Sequence, residues 1–185
     1  MRSLTRRPQA GDAALVRAAQ RGSEEAVAAL FERHWGAAYR AALLVTGDRA
    51  AAEDIAQEAF LSALRALPSF DLRRPLRPWL HRIVVNRAID WSRARALRNE
   101  VGADLAGEPV ARTAGEAAPV GEDVACALMT LGPEQRAVVV MRYVLELTPG
   151  EIGAALGLPR GTVNSRLRRG LDALGEAIVN QDAAR

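Results

Sequence analysis

No lysine occurs among the 25 basic residues of this 185-residue chain, so none of its basic sites is a lysine point charge. Cysteine is nearly as scarce. Cys126 stands alone, which excludes a disulfide framework and a cysteine-built zinc site and fits a reducing compartment. His34 and His81 are the only histidines, and no glycine-rich phosphate loop or nucleophile motif appears. No apolar run approaches the roughly 18 residues of a membrane span. The basic first ten residues also lack a following hydrophobic segment. The chain is therefore read as cytosolic, without membrane insertion and with no cofactor or metal expected.

What is present is apolar, helical in spacing and divided by charge. With 49% hydrophobic residues the chain can bury one moderate core or two small ones, and two is the expectation. The net charge is only +3, but it is unevenly placed. From Arg65 to Arg98 nine arginines face two acids, whereas from Asn99 to Glu134 seven acids face one arginine. The acidic block is punctuated by Gly102, Gly107, Pro109, Gly115, Pro119 and Gly121, and residues 99–119 show no sustained period. They read as a flexible linker. Fully extended, it would reach about 70 Å, the length of roughly 20 base pairs of duplex.

Spacing and punctuation place helices on both sides. A short helix is expected from Asp12 to Gln20, closed by Gly22. Ser23 caps a second helix that stops at Gly47, and Asp48 caps a third that ends before Pro68. A fourth begins near Pro75 and Pro78, with Leu76, Trp79, Leu80, Ile83, Val84 and Trp91 as its apolar stripe. Both tryptophans fall on that stripe and read as core. Arg82, Asn86 and Arg93 lie in a row along a neighbouring face. Further helices follow around Val124 to Leu131 and Glu134 to Tyr143. No alternating strand pattern competes, so the fold class is all-α: two small helical domains joined by the linker, the C-terminal one carrying a helix-turn-helix.

That last motif runs from Leu147 to Arg169. Thr148 and Glu151 have capping-box spacing with Pro149 at the first helical position, Ile152 and Leu156 give a short amphipathic helix, and Gly157-Leu-Pro159 breaks it. Beyond the break, Val163, Leu167, Leu171 and Leu174 recur at helical spacing and are expected to face the core. Thr162, Ser165, Arg168 and Arg169 then face outward, flanked by Asn164 and Arg166, with Arg160 opening the helix. Arginine pairs bidentately with guanine and asparagine with adenine, which is the chemistry of a major-groove reader. The competing reading is an ordinary helical hairpin with a solvated basic face.

Three blocks in order carry a family resemblance: Gly47-Asp-Arg-Ala-Ala-Ala-Glu-Asp-Ile-Ala-Gln-Glu-Ala-Phe60, then Trp79-Leu-His-Arg-Ile-Val-Val-Asn86 with Asp90 following, then Leu131-Gly-Pro-Glu-Gln-Arg136 leading into the helix-turn-helix. Together they resemble the extracytoplasmic-function sigma factors, group 4 of the sigma-70 family of RNA polymerase sigma factors. The resemblance implies a basic tail at 1–11, sigma domain two at 12–98, the linker at 99–119, sigma domain four at 120–178 and a tail at 179–185. It also implies core RNA polymerase and promoter DNA as partners and an anti-sigma factor as regulator. Glu53, Asp54, Gln57 and Glu58 would dock on the clamp helices of the largest polymerase subunit, with the flap of the second-largest subunit as a further contact. Arg82, Asn86 and Arg93 would meet the minus-10 element and help to open it. Arg160, Thr162, Asn164, Ser165, Arg166, Arg168 and Arg169 would read the minus-35 element.

Two positions depart from the family's habit. Leu76 stands where an aromatic residue is frequent, and Asn164 where the recognition helix often has Lys or Arg, so the minus-35 preference does not carry over from relatives. Gly170 inside that helix costs ~1 kcal/mol of propensity, which close packing against a neighbour would explain. The alternatives are a helix-turn-helix regulator without sigma activity and a helical enzyme with a carboxylate metal site. The third helix lacks the Glu-x-x-His spacing of such metal bundles, so a binding protein rather than an enzyme is expected.

Overall fold

The computed structural model describes residues 11–101 and 121–183. Among them every regular element is helical: α1 (Asp12–Gln20), α2 (Glu24–Thr46), α3 (Arg49–Ala66), a 3₁₀ turn (Leu67–Ser69), α4 (Leu76–Val101), α5 (Glu122–Met129), α6 (Pro133–Tyr143), α7 (Pro149–Leu156) and α8 (Arg160–Ala183). α4 continues to Val101, into the segment read as linker, and 102–120 lie outside the described residues, as do the tail at 1–10 and residues 184 and 185.

Local chemistry sets the boundaries. Ser23 Oγ accepts from the Ala26 amide at 3.2 Å and Asp48 Oδ1 from the Ala51 amide at 3.0 Å, each satisfying an amide that a helix start leaves without an internal partner. Gly47 ends α2 in the left-handed region at φ 69°, where a Cβ is penalised. A Cβ there would also fall 2.5 Å from Met129 Sδ, so this turn fits closely beneath α5.

The expectation of two separate small cores is not met. One buried cluster runs continuously from Ala38, Leu43, Ile55, Phe60 and Val84 in the first helical region to Leu128, Val138, Met141, Leu145, Ile152 and Val163 in the second. The physical reason is that α6 packs on both α2 and α4, α5 packs on α2, and α7 packs on α4. A smaller cluster of Val16, Leu30, Leu67, Phe70 and Leu76 lies where α1 covers α2 and the 3₁₀ turn. There Gln20 Nε2 donates to the Leu67 and Phe70 carbonyls at 3.0 Å each.

The core stripe of α8 also differs from the expected one. Val163, Leu167 and Gly170 are buried and Leu174 packs against the core, but Leu171 is 39% exposed. Glycine takes the place next to α6 because a Cβ on Gly170 would stand 2.9 Å from Val139 Cγ2. The helix-propensity cost of that glycine accompanies a close approach that no other residue allows without a shift.

Candidate nucleic-acid interface

The helix-turn-helix is built as its spacing predicts. Thr148 Oγ1 accepts from the Glu151 amide at 3.3 Å, and the Glu151 carboxylate accepts from the Thr148 amide at 2.8 Å. The Thr148 amide first, then the Thr148 hydroxyl, which donates to the same carboxylate at 2.7 Å, and to a lesser extent the charge of Arg77 hold the Glu151 carboxyl below its ordinary value. Gly157 at φ 67° ends α7. A Cβ on Gly153 would lie 2.6 Å from the Leu158 carbonyl oxygen, so the turn closes directly on the preceding helix.

The first turns of α8 then present an uneven face. Arg160, Asn164, Arg168 and Arg169 are exposed, while Thr162 and Ser165 are half-buried, with Ser165 Oγ donating to the Thr162 carbonyl at 3.0 Å. Arg169 Nε donates to the Ser165 carbonyl at 3.3 Å. Thr162 and Ser165 thus depart from the outward set, and Arg166, expected to flank it, is likewise half-buried and lies at the junction with α4.

On α4 the three expected residues divide. Arg82 is exposed beside a cavity that it shares with Arg74, Trp79 and Glu151. Asn86 and Arg93 line a second cavity with Glu134 and Arg166. Arg93 Nε donates to Glu134 Oε1 at 2.7 Å. Partial burial works to raise the Glu134 carboxyl, but the Arg93 hydrogen bond, the backbone at the start of α6 and the charges of Arg93 and Arg166 outweigh it and leave the carboxyl below its usual value. Trp79 and Trp91 are partly buried against the core, Trp79 with its ring centre 4.7 Å from that of Phe70 and Trp91 with the Arg95 guanidinium 5.2 Å from its ring centre, so both indoles already have partners within the protein.

The outer side of α3 is a different surface. Glu53, Asp54, Gln57 and Glu58 are all exposed. Gln57 donates to Glu53 at 3.4 Å, while Glu58 is held by Arg87, which also donates to Ser62 Oγ at 2.8 Å. The sequence reading missed the continuation of this surface. Leu61 is 53% exposed and Leu64 36%, and both follow Asp54 and Gln57 at helical spacing. A helical wheel drawn past Glu58 would have found them. Among the described residues, no group of three or more His, Cys, Asp or Glu side chains is placed to hold a metal, and no helix is long and apolar enough to cross a membrane.

Comparison with known proteins agrees with this geometry. Residues 30–98 match the model of sigma-70 region 2 and residues 121–174 that of sigma-70 region 4. The chain is 31% identical to the ECF RNA polymerase sigma factor SigW of Bacillus subtilis, over 88% of this chain and 94% of that one. It is 37% identical to the ECF RNA polymerase sigma factor SigL of Mycobacterium tuberculosis, over 79% and 85%. Among solved structures it is similar to CnrH in complex with the cytosolic domain of CnrY, with a TM-score of 0.70 and 30% identity, covering 92% of this chain and 98% of that one. The sigma factor RpoE of Bartonella quintana, at 23% identity and a TM-score of 0.63, shares the fold over 80% of this chain and 93% of that one. The two matched regions, in this order and on this helical frame, place the chain in the extracytoplasmic-function group of the sigma-70 family of RNA polymerase sigma factors.

Proposed function

We propose that the chain divides the work of a sigma factor among three surfaces. The outer side of α3 docks on core RNA polymerase, α4 meets the minus-10 element through Arg82, Asn86 and Arg93, and the start of α8 reads the minus-35 element. The observation that carries this reading is the row of Arg160, Asn164, Arg168 and Arg169, exposed on the second helix of a capped helix-turn-helix. Guanidinium and amide groups projecting from one exposed helix face are the kind of donors and acceptors that base-edge recognition uses. Around them, Thr162, Ser165 and Arg166 lie closer to the protein and serve as supporting contacts.

The α3 surface fits a protein partner rather than DNA. Three carboxylates beside exposed leucines would repel phosphate but suit a surface that is basic and apolar. The clamp helices of the largest subunit are the proposed partner there, and the flap of the second-largest subunit is proposed for the second helical region. Asn86 offers an amide that donates and accepts, the pairing needed by a base taken out of the stack.

An anti-sigma factor is a further proposed partner, supported by CnrH having been solved with the cytosolic domain of another protein. The chain is proposed to act in the cytoplasm, where polymerase and DNA meet, as a binding protein rather than a catalyst. Run-off transcription with purified core polymerase on a promoter library tests the assignment. Specific transcripts that depend on the added chain are expected. If it neither associates with core nor changes the transcripts, the reading fails.

A further inference from the structure

α1 is tied down at both ends. At its start Asp12 Oδ1 accepts from Arg33 Nη1 at 2.7 Å and Oδ2 lies 3.1 Å from His34 Nε2, both partners being residues of α2. At its end Gln20 Nε2 donates to two carbonyls of the connection between α3 and α4, those of Leu67 and Phe70. An amide nitrogen carries two hydrogens, so this one is fully used in bridging the 3₁₀ turn to the residue that follows it. Phe70 carries the constraint into α4 by two routes. Its ring packs on Trp79, with the centres 4.7 Å apart. Its neighbour Asp71 folds the loop, accepting from the Arg74 amide through its carbonyl at 2.9 Å and from the Arg73 amide through Oδ1 at 3.0 Å. Trp79 and Arg74 both border the cavity of about 180 Å³ that Arg82 also lines.

We infer that Gln20 is a positioning residue for the promoter face of α4: by fixing the backbone at Leu67 and Phe70 it sets where Arg74 and Arg82 stand, and so the selectivity for the minus-10 element. The inference rests on the proposed role of α4. Gln20 is half-buried and spends both donors on the protein, so it acts through the loop and not on DNA. Arg73 and Arg74 are exposed and Asp71 bonds within the loop, which leaves the direction of this segment to its anchor at Phe70. A guanidinium discriminates between bases only when its backbone is held to within about 0.5 Å of the productive place. α1 therefore has two parts with different work. Val16, fully buried, supplies the packing that keeps the helix in place, and Gln20 supplies the aim of the loop.

Substitutions in α1 of the full-length chain separate positioning from simple support. Gln20→Met keeps the length and the helix propensity but has no donor, Gln20→Lys returns donors on a slightly longer stem, and Val16→Ala loosens the packing while leaving Gln20 in place. In the protein alone, hydrogen exchange at the Phe70, Arg73 and Arg74 amides should be about five-fold faster in Gln20→Met and close to unaltered in Gln20→Lys. In run-off transcription with core polymerase on a minus-10 library, Gln20→Met should lose about five-fold in preference at one or two minus-10 positions, the worth of one weak base contact, with the minus-35 preference kept. Gln20→Lys should restore that preference, and Val16→Ala should lower thermal stability without shifting it. Unchanged exchange in Gln20→Met overturns the inference, as does a uniform loss over all minus-10 sequences or an equal shift of preference in Val16→Ala. A turn that Gln20→Lys protects again without regaining the preference overturns it too. Gln20→Ser, which admits water to both carbonyls, replaces Gln20→Met if that variant does not fold. If the unaltered chain itself shows no minus-10 preference, the proposed role of α4 fails, whereas exchange at the turn still reports whether Gln20 holds it.

Discussion

Arg136 of α6 donates from Nη1 to the Val45 carbonyl, in the last turn of α2, at 2.7 Å, so a cation from the second helical region closes the end of a helix in the first. The last four carbonyls of a helix have no internal partner and carry partial negative charge, which makes that end a natural seat for a guanidinium. Nη2 donates to the Leu131 carbonyl at 2.8 Å. The side chain is only 8% exposed, and burial lowers its pKa to about 10, so it remains charged at neutral pH.

Arg136→Met keeps the apolar stem and removes the donors, leaving the Leu131 carbonyl without this partner. Hydrogen bonds from a charged group contribute ~1.5 to 3 kcal/mol, and a loss of about 2 to 3 kcal/mol in urea unfolding is expected. Arg136→Lys should also lose stability, because one ammonium cannot span both carbonyls. A loss below ~0.5 kcal/mol would mean that desolvation cancels the bonds.

His81 is completely buried and neither ring nitrogen has a hydrogen-bond partner. Burial first, then the charges of Arg77 and His34, lower its pKa from 6.5 to about 3. The unfolded chain therefore takes up a proton that the folded chain refuses. The stabilising contribution is complete above pH 6.5 and is lost as the pH falls towards 3. Between pH 7 and 5 this amounts to about 2 kcal/mol. Chemical unfolding of His81→Leu should show that much less acid sensitivity than the unaltered chain, and parallel profiles would remove His81 from the account.

Three glycines in the second region should respond differently to alanine. A Cβ on Gly175 meets nothing within 4 Å, so Gly175→Ala should gain up to ~1 kcal/mol of helix propensity. Gly170→Ala gains the same but presses on Val139 at 2.9 Å. Overpacking of ~1 to 3 kcal/mol leaves it between neutral and ~2 kcal/mol worse. Gly153→Ala meets a backbone oxygen at 2.6 Å that cannot rotate away, and should be the least stable of the three. Thermal unfolding gives the order directly, and Gly153→Ala ranking above Gly170→Ala would contradict the packing.

The contrast among these glycines marks what the sequence discloses. Caps and stops are local: Ser23, Gly47, Asp48, Thr148 with Glu151, and Gly157 each act within a few residues, so their spacing alone predicts them. The stripe of α8 departs from apolar spacing at one step because its inward position is Gly170, which has no side chain to announce burial, while the neighbouring Leu171 faces out. Apolar periodicity says that a face is buried but not against what. The sharing of one core by both regions, and the pairing of Arg93 with Glu134 across 41 positions, were therefore out of its reach. So was the inward turn of Arg166, which follows from where α4 happens to lie.

Docking on the polymerase can be separated from the fold by choosing positions without internal partners. Asp54 is exposed and Leu61 lies in line with it, whereas Glu58 is paired with Arg87, so reversing Glu58 would also disturb α4. Asp54→Arg and Leu61→Asp should each weaken association with core by about ten-fold, ~1.4 kcal/mol, with unfolding unchanged. Titration against labelled core checks this. Unaltered affinity in both would assign the docking surface elsewhere.

On the recognition helix, Arg168 and Asn164 are both exposed, whereas Arg166 faces the junction. If the two exposed residues read base edges, Arg168→Ala should cost ~1 to 3 kcal/mol and relax selectivity at one or two minus-35 positions. Asn164→Arg should change the preferred base, because a short amide able to pair with adenine gives way to a guanidinium fork suited to guanine. Arg166→Ala should alter selectivity least, since its guanidinium lies near Glu134 and not along the exposed row. The comparison is made across a minus-35 library at fixed salt, because the electrostatic part of binding varies steeply with ionic strength and would hide a change in preference. A uniform loss over all sequences for Arg168→Ala, with Asn164→Arg leaving the preference untouched, would make both residues phosphate anchors and move base reading to other residues of the helix.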